Sequence, residues 1–273
     1  MYQADAFTDQ PFKACSRFKL RWCTPIKEVR LRGHATLAAA AAIFKGEGNR
    51  SPTLHFDTVA SGELTVSAAP DDKYCMELPA SAVSEDVPEG AGVDSALMQE
   101  VVGGRARVER VPHCQVRACG ATACACRTAR CVHVARQPAR AALPGPAELV
   151  VVLHESAGRA ALEAIHPDAA ALKRAYPGGQ VLSIIVTAPG GGDGLDFLSR
   201  AFCPWAGIDE DPVTGCAHAV LAPYWRGRLG TGERPLRARQ CSPLGGEMEC
   251  DVAGDRVRLV SSAVVLRKGT LQL

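Results

Sequence analysis

The sequence has neither a strong net charge nor a long hydrophobic run. Its 31 Lys and Arg residues nearly balance its 29 Asp and Glu residues, which leaves a formal net charge of +2. This balance favours neither nucleic acid nor an anionic membrane as a partner. The longest apolar runs, at 35–44, 149–153 and 181–186, are much shorter than the ~20 residues of a membrane-spanning helix. The N-terminus also lacks the basic and apolar segments of a secretory signal, so we expect a cytoplasmic protein.

The cysteines are numerous, but they lack the setting of a disulfide framework. The chain has 12 Cys among 273 residues and no visible secretory signal. Its hydrophobic content of 47% is sufficient for a core that does not depend on the cysteines. We therefore expect reduced thiols in a soluble globular protein of two domains.

The composition of residues 101–140 differs from that of the rest of the chain. This stretch contains eight Arg and five Cys but a single acid, Glu109, and it shows no helical or strand period. Its Cys and His residues are zinc-ligand types, but the closely paired cysteines of common zinc sites are missing. We interpret about 111–146 as an irregular insert, either real or a gene-model artefact, and expect no metal site. A zinc-binding module and a basic nucleic-acid arm are the alternatives.

The strongest local signal lies in the last third of the chain. A polar turn that contains Asp211 and Thr214 leads through Gly215 into an apolar helical run at 216–225. Such a helix start directs backbone N–H groups and the positive end of the helix dipole outward, which suits an anion. Because Asp211 and Cys216 lie at this end of the helix, we expect the catalytic site here.

The same pattern occurs near the N-terminus. Gly33 and His34 precede an Ala-rich helix predicted at 35–44, in the positions that Gly215 and Cys216 hold before the other helix. Because the order of these features repeats, we interpret the chain as an internal duplication whose two helix N-termini face one cleft. Chance similarity of Gly- and Ala-rich strings is the alternative.

Both predicted helices are apolar all round, which indicates that they are buried. Short strand patterns flank each of them. The sequence therefore predicts an α/β (α+β) fold of two pseudo-symmetric halves, each a mostly antiparallel sheet or barrel wrapped around a central helix. We place the N-terminal half at 1–105 and the C-terminal half at 106–273. The last predicted strand, 263–267, could return to the N-terminal half.

Several motifs resemble those of one family. The sequence is similar to the PhzF-like proteins of phenazine biosynthesis over roughly 1–13, 17–110 and 147–273. The stretches that carry the resemblance are Ala4-Asp5-Ala6-Phe7-Thr8, Leu20-Arg21-Trp22-Cys23-Thr24-Pro25, Gly33-His34-Ala35-Thr36-Leu37, Phe202-Cys203-Pro204-Trp205, Asp211-Pro212-Val213-Thr214-Gly215-Cys216-Ala217-His218 and Gln240-Cys241-Ser242. The resemblance implies a diaminopimelate-epimerase-like fold with the site between the halves. It also implies proton-shift isomerisation without a cofactor, and a homodimer.

The sequence departs from this family at its principal catalytic residue. The family's acid/base Glu lies between the first two strands, but here residues 13–17 join these strands directly and no Glu occurs before Glu28. Cys216 stands where the family usually has Ser and where related epimerases and racemases have a thiol. Arg32 replaces a usual Cys, and Leu244 replaces a usual Arg. The missing Glu implies impaired activity.

A proton shift requires a group that takes the proton, a group that returns it and a binding site for the anionic intermediate. We predict that His34, Asp211 and Cys216 are catalytic, and that the helix N-terminus lowers the pKa of the Cys216 thiol. The predicted substrate-binding residues are Gly33, His34, Thr214, Gly215 and Cys216. The alternatives are structural: a packed His34 and an Asp211 that only caps its helix. We expect His218 to be a buried packing residue.

Two functions remain open from the sequence. The first is a PhzF-type isomerase that acts on a small carboxylate-bearing metabolite and is impaired by the loss of its Glu. The second is a non-catalytic scaffold, a pseudoenzyme or splice variant, that binds a protein partner. Neither function predicts a cofactor, a nucleic-acid partner or a membrane partner.

Overall fold

Short apolar and alternating segments form the strands of the fold. The computed structural model describes residues 16–23, 28–29, 32–59, 61–81, 83–84, 101, 129–135, 147–153, 158–175, 177 and 181–266. The strands in this part of the chain are β1 (Arg17–Leu20), β2 (Trp22–Cys23), β3 (Glu28–Val29), β4 (Thr53–Thr58), β5 (Gly62–Ala69), β6 (Lys73–Pro79), β7 (Val83–Ser84), β8 (Ala129–Ala135), β9 (Ala147–Leu153), β10 (Val181–Pro189), β11 (Phe197–Cys203), β12 (Ile208–Asp211), β13 (Leu236–Gln240), β14 (Gly246–Ala253) and β15 (Arg256–Ser262). The helices are α1 (Gly33–Ala41), α2 (Gly158–Glu163), α3 (Ala169–Ala175) and α4 (Gly215–Leu229).

One large sheet runs through the described residues. Its strand order is β1-β4-β5-β6-β15-β14-β13-β11-β10-β9-β8-β7, with β12 paired to β11, while β2 and β3 pair with each other. The β1–β4, β9–β10 and β11–β13 pairs are parallel, and the other pairs are antiparallel. Because β15 pairs with β6 along its whole length, the sheet joins strands from distant parts of the chain. The predicted mixed α/β fold is confirmed.

The two central helices begin at the glycines of the repeated motif. Helix α1 starts at Gly33 rather than at the predicted 35, and a π-helical turn, Ala42–Gly46, replaces its predicted last residues. Helix α4 starts at Gly215 and continues to Leu229, beyond the predicted end at 225, where Gly230 ends it with a φ of 61°. A glycine adopts this left-handed conformation without strain, so it stops the helix there.

Pro223 lies inside α4 without breaking it. A proline has no N–H, so the carbonyl of Ala219, four residues earlier, loses its helical partner. The backbone N–H of Ser81 donates to this carbonyl at 3.2 Å instead. Ser81, which lies just after β6, therefore replaces the missing hydrogen bond and connects α4 to this part of the chain.

Two apolar clusters fill the protein. The larger one surrounds α1 and α4 and includes residues of β4, β5, β6, β13, β14 and β15, with Trp225 among its fully buried side chains. The smaller one lies between α2, α3 and the strands β9, β10 and β11. Both central helices pack against strands. Helix α4 is largely buried, as predicted, whereas α1 is buried on one side only, since Ala38 is exposed.

Two predictions differ from the structure. Strand β8 lies inside the stretch that was expected to be irregular, because β9 and β7 supply hydrogen-bonding partners on both of its edges. Residues 263–266, part of the predicted last strand, have no regular structure, and residue 267 is outside the described residues. Most of the Cys- and His-containing stretch at 113–133, on which the alternative of a zinc-binding module rests, is also outside them.

Two further observations concern only the described part of the chain. None of its helices is long and apolar enough to cross a membrane. No three of its His, Cys, Asp or Glu side chains are grouped so that they could hold a metal ion.

Candidate active site

The N-termini of α1 and α4 meet at their first glycines. A Cβ atom on Gly33 would lie 3.0 Å from the Cα of Gly215, and a Cβ on Gly215 would lie 3.2 Å from the Cα of Gly33. The N-cap residues, Arg32 and Thr214, have extended backbones and make no side-chain capping bond to their helices. The positive ends of two helix dipoles therefore share one small region, which favours an anion there.

The turn before α4 is held from outside the helix. Gln240, the last residue of β13, accepts a hydrogen bond from the Thr214 backbone N–H at 2.7 Å and donates to the Asp211 carbonyl at 2.6 Å. Ser242 donates to the Pro212 carbonyl at 2.7 Å. Because the Gln240 side chain is fully buried, these bonds fix the turn in a dry environment, where they are strong.

Asp211 connects the two helix starts. Its Oδ1 accepts a hydrogen bond from Arg32 Nη1 at 3.0 Å, and its Oδ2 accepts one from the Thr214 hydroxyl at 2.7 Å. The Arg32 and Asp211 side chains are 16% and 9% exposed. This half-buried ion pair spans 179 positions of sequence and places a guanidinium beside the site.

His34 is oriented by a single backbone contact. Its Nδ1 lies 2.9 Å from the Val213 carbonyl oxygen and 3.9 Å from Asp211 Oδ1. Since a carbonyl only accepts, Nδ1 carries the hydrogen, and the neutral ring has its lone pair on Nε2. His34 is thus prepared to take a proton at Nε2.

A cavity opens beside these residues. Its volume is about 430 Å³, and it is lined by Leu20, Arg21, Trp22, Cys23, Arg32, His34, Ala35 and Ile208. This volume suits a small metabolite. The lining combines two guanidinium groups and an imidazole with apolar side chains, so a small organic acid matches it in size and charge.

A buried carboxyl affects the ionisation of Cys216 at the start of α4. This carboxyl belongs to Glu148, on β9, which is 1% exposed. Burial raises the pKa of Glu148 to about 7, and the Cys216 and Ser183 side chains oppose this rise. Neither Glu148 Oε2 nor the Ser183 hydroxyl completes a hydrogen bond within the described residues.

The predicted pKa of Cys216 was wrong in its direction. Burial raises the pKa of this thiol well above its ordinary value, and the charges of Glu148, Cys203 and Asp211 raise it further. A helix N-terminus contributes only ~0.3–1 kcal/mol for an exposed charge, which is less than the effects of desolvation and a neighbouring carboxylate. Cys216 therefore stays a protonated thiol.

His218 is a packing residue, as expected. It is fully buried, its Nδ1 donates to the Thr214 carbonyl at 2.8 Å, and its Nε2 lies 3.5 Å from the Ser199 hydroxyl. Burial lowers its pKa to about 4, so the ring is neutral at physiological pH.

The hydrogen bonds and the glycine contact described above bring Gly33, His34, Asp211, Thr214 and Gly215 together. Cys216 follows Gly215 in α4. Of these predicted site residues, His34 lines the cavity, whereas the other five are not part of its lining. No sequence pattern indicated Gln240 or Glu148 as part of this site. Glu148 had one signal, since it is an acid at the start of the continuous apolar run 149–153, a pattern that is typical of a buried strand.

The contact between the glycines predicts the effect of a methyl group. We expect Gly33→Ala to destabilise the protein by about 1–2 kcal/mol, because the new Cβ would press on the α4 backbone. Gly227→Ala is the matched control: nothing lies within 4 Å of its Cβ position, so alanine should stabilise α4 by about 0.5–1 kcal/mol. Urea denaturation measures both, and equal shifts would contradict a tight contact at Gly33.

The fold and this site define the class: a mixed α/β protein whose two central helices meet N-terminus to N-terminus. A family model described as phenazine biosynthesis-like protein matches residues 4–269. The chain therefore belongs to the PhzC/PhzF family.

Individual relatives agree with this assignment. The chain is 34% identical to the mouse phenazine biosynthesis-like domain-containing protein 2, over 95% of this chain and 79% of the relative. It is 35% identical to an uncharacterized isomerase of Pseudomonas aeruginosa, over 94% of this chain and 78% of the relative. The protein is thus PhzF-like and related to isomerases.

Solved structures share the fold. A PhzF-family protein of Enterococcus faecalis superposes with a TM-score of 0.65 at 31% identity, over 93% of this chain and 78% of that chain. A probable proline racemase of Agrobacterium radiobacter has a TM-score of 0.51 at 14% identity, over 91% and 72% of the two chains. The second likeness concerns the fold alone.

Proposed function

We propose that the protein is a cofactor-independent isomerase that shifts a proton on a small carboxylate-bearing substrate. The observation that carries the proposal is the position of His34. This residue lies at the start of α1, lines the cavity and has Nδ1 occupied by the Val213 carbonyl. The family membership and its isomerase relative support the same reaction class.

Each part of the site has a role in this reaction. The substrate carboxylate binds near Arg32 and the two uncapped helix N-termini. Nε2 of His34 takes a proton from a carbon next to an electron-withdrawing group, and the helix N-termini stabilise the resulting anion. Asp211 holds Arg32 in place and lies close to the His34 ring.

We further propose that turnover is slow. Residues 13–17 replace the segment that carries the acid/base Glu in similar sequences, so one of the usual proton-transfer groups is absent. Dimer formation, a protein partner and a cytoplasmic location stay predictions.

A deuterium exchange experiment tests the function. In D2O, the purified protein should introduce deuterium at carbon into at least one member of a panel of small amino and hydroxy acids, detected by mass spectrometry. His34→Ala should reduce this exchange by about 100-fold or more, because loss of a positioned acid/base group costs at least this factor.

His55→Ala is the matched control. The His55 side chain is 34% exposed, close to the 35% of His34, and it pairs with Glu63 on the surface. Its loss should leave exchange unchanged. If the folded protein exchanges nothing on the panel, the isomerase proposal fails and the alternative, a non-catalytic scaffold for a protein partner, replaces it. The ion pair of Arg32 with Asp211 favours that alternative, because the two charges already neutralise each other without a substrate.

A further inference from the structure

Two guanidinium groups line the cavity, and they differ in their exposure to solvent. The Arg32 side chain is 16% exposed, whereas the Arg21 side chain is 67% exposed. An arginine keeps its proton at every pH at which the protein is folded. The cavity wall therefore carries one buried and one solvent-exposed positive group, both permanently charged.

Each guanidinium keeps N–H groups for a ligand. Within the described part of the chain, Arg32 donates one hydrogen bond, from Nη1 to Asp211. Arg21 donates from Nε and Nη2 to Glu28 at 3.0 and 2.7 Å, and its Nη1 makes no hydrogen bond to a described residue. The Arg21–Glu28 pair is exposed on both sides, so it is weak. Both arginines can thus bind a carboxylate while they keep their present partners.

The cavity offers no comparable group to a positive charge. Its described lining contains no Asp or Glu side chain. Asp211 lies 3.9 Å from the His34 ring, but its two oxygens already accept hydrogen bonds from Arg32 and Thr214. An ammonium group would therefore be desolvated beside two like charges without a free carboxylate partner, which is unfavourable.

The rest of the lining is mostly apolar. Leu20, Trp22, Ala35 and Ile208 contribute hydrocarbon or ring surface to a cavity of about 430 Å³. Such a wall suits the carbon chain of a ligand, whereas the arginines suit its acidic ends.

We propose that the cavity binds a small dicarboxylic acid that has no amino group, with one carboxylate on Arg32 and the other on Arg21. This ligand class narrows the substrate of the proposed isomerase and, as a statement about a substrate, rests on that function. The binding preference itself does not depend on a proton shift.

Arg32 is the residue that sets the preference against amino acids. It stands where similar sequences of the family usually have Cys, and its guanidinium occupies Oδ1 of Asp211. A cysteine at this position would leave that oxygen without a cationic donor, and Asp211 could then accept from an ammonium group. The exchange of this one side chain should therefore change the ligand class.

Isothermal titration calorimetry at pH 7 tests the ligand class. The probes are malate, 2-hydroxyglutarate and 2-hydroxyadipate, each with its amino counterpart and with the 2-hydroxy monocarboxylic acid of the same chain length. At least one hydroxy dicarboxylate should bind about tenfold or more tightly than both of its counterparts, because each counterpart loses or opposes one charge-assisted contact. Equal or tighter binding of the amino or monocarboxylic counterparts, or no binding by any of the dicarboxylates, would overturn the proposal.

Three variants assign the two carboxylate contacts, and circular dichroism melts confirm that each is folded. Arg21→Met should weaken the dicarboxylate by about tenfold or more and leave the monocarboxylic acid within about twofold. Arg17→Met is the matched control, because Arg17 is 55% exposed, pairs with Asp57 and Glu63, and does not line the cavity. Arg32→Cys should reduce the preference for hydroxy over amino dicarboxylates by about tenfold or more. Equal losses in the Arg21 and Arg17 variants, or an unchanged preference in Arg32→Cys, would refute the assignment.

Deuterium exchange on the same probes separates the ligand class from the function. If a hydroxy dicarboxylate binds as expected but no probe exchanges, the isomerase function fails and the ligand class stands. If an amino or monocarboxylic acid exchanges with a higher kcat/KM than every dicarboxylate, the ligand class fails and the isomerase function stands.

Discussion

Glu148→Gln is expected to stabilise the folded protein by about 3 kcal/mol at pH 8 and to have little effect at pH 4. Burial raises the pKa of this carboxyl from its ordinary 4.5 to about 7. Below pH 4.5 the group is protonated in the folded and the unfolded chain, so it costs nothing. Between pH 4.5 and 7 only the unfolded chain ionises, and stability falls as the pH rises. Above pH 7 both states are ionised, and the loss is constant.

Urea denaturation at pH 4 and pH 8 measures this effect. Trp22 and Trp225 are 6% and 1% exposed, so their fluorescence should change when the core opens. Glu249→Gln is the matched control, since its side chain is 47% exposed and should show no comparable gain at pH 8. A gain of the same size at both pH values would show that Glu148 is not held protonated in the folded protein.

The free energy that ionised Glu148 costs is large compared with the total stability of a folded domain. A folded domain is stable by only about 5–15 kcal/mol, so the ~3 kcal/mol that this buried carboxyl costs above pH 7 is a substantial part of it. Residues with such perturbed ionisation are concentrated at functional sites.

The main features of the fold could be predicted from local patterns. Apolar runs without a polar face predicted the two central helices, which begin one or two residues before their predicted starts, at the glycines. The similarity between Gly33-His34 and Gly215-Cys216 predicted that two helix N-termini would form the site. These signals are local, because each depends on residues within a few positions of one another.

The missed features depend on contacts between distant residues. Arg32 pairs with Asp211 across 179 positions, and Glu148 lies opposite Ser183 because β9 pairs with β10. Sheet register places these side chains, and no local pattern encodes it. The wrong pKa direction for Cys216 has the same origin, since the helix start was visible in the sequence but the burial of the thiol and the charges near it were not.

Arg200→Met is expected to destabilise the protein by about 3–5 kcal/mol, because it leaves a buried carboxylate and several carbonyls without their partner. The Arg200 side chain is 4% exposed, and its Nε and Nη2 each donate to a carboxylate oxygen of Glu210 at 2.7 Å. Its Nη1 donates to the carbonyls of Leu162, Glu163 and Ile165. The guanidinium also lies 4.9 Å from the centre of the Phe202 ring.

The contacts of Arg200 connect the smaller apolar cluster to the strand that carries Asp211. Two of the carbonyls belong to the last residues of α2, Leu162 and Glu163, and the third belongs to Ile165 just after this helix. Glu210 lies on β12 next to Asp211. Arg200 therefore fixes the strand whose last residue holds Arg32. We expect Arg200→Met to unfold at a lower urea concentration and, while still folded, to exchange deuterium more slowly than the unaltered protein.

Two further variants separate the contribution of the ion pair from that of the carbonyl contacts. Arg159→Met, on α2, is the matched control, because Arg159 and its partner Glu163 are 41% and 44% exposed. The loss of this exposed ion pair should change stability little. Glu210→Gln removes the negative charge but leaves the carbonyls of α2 with their donor, so it should cost less than Arg200→Met. Equal losses in the Arg200 and Glu210 variants would mean that the ion pair alone anchors β12 and that the carbonyl contacts contribute nothing.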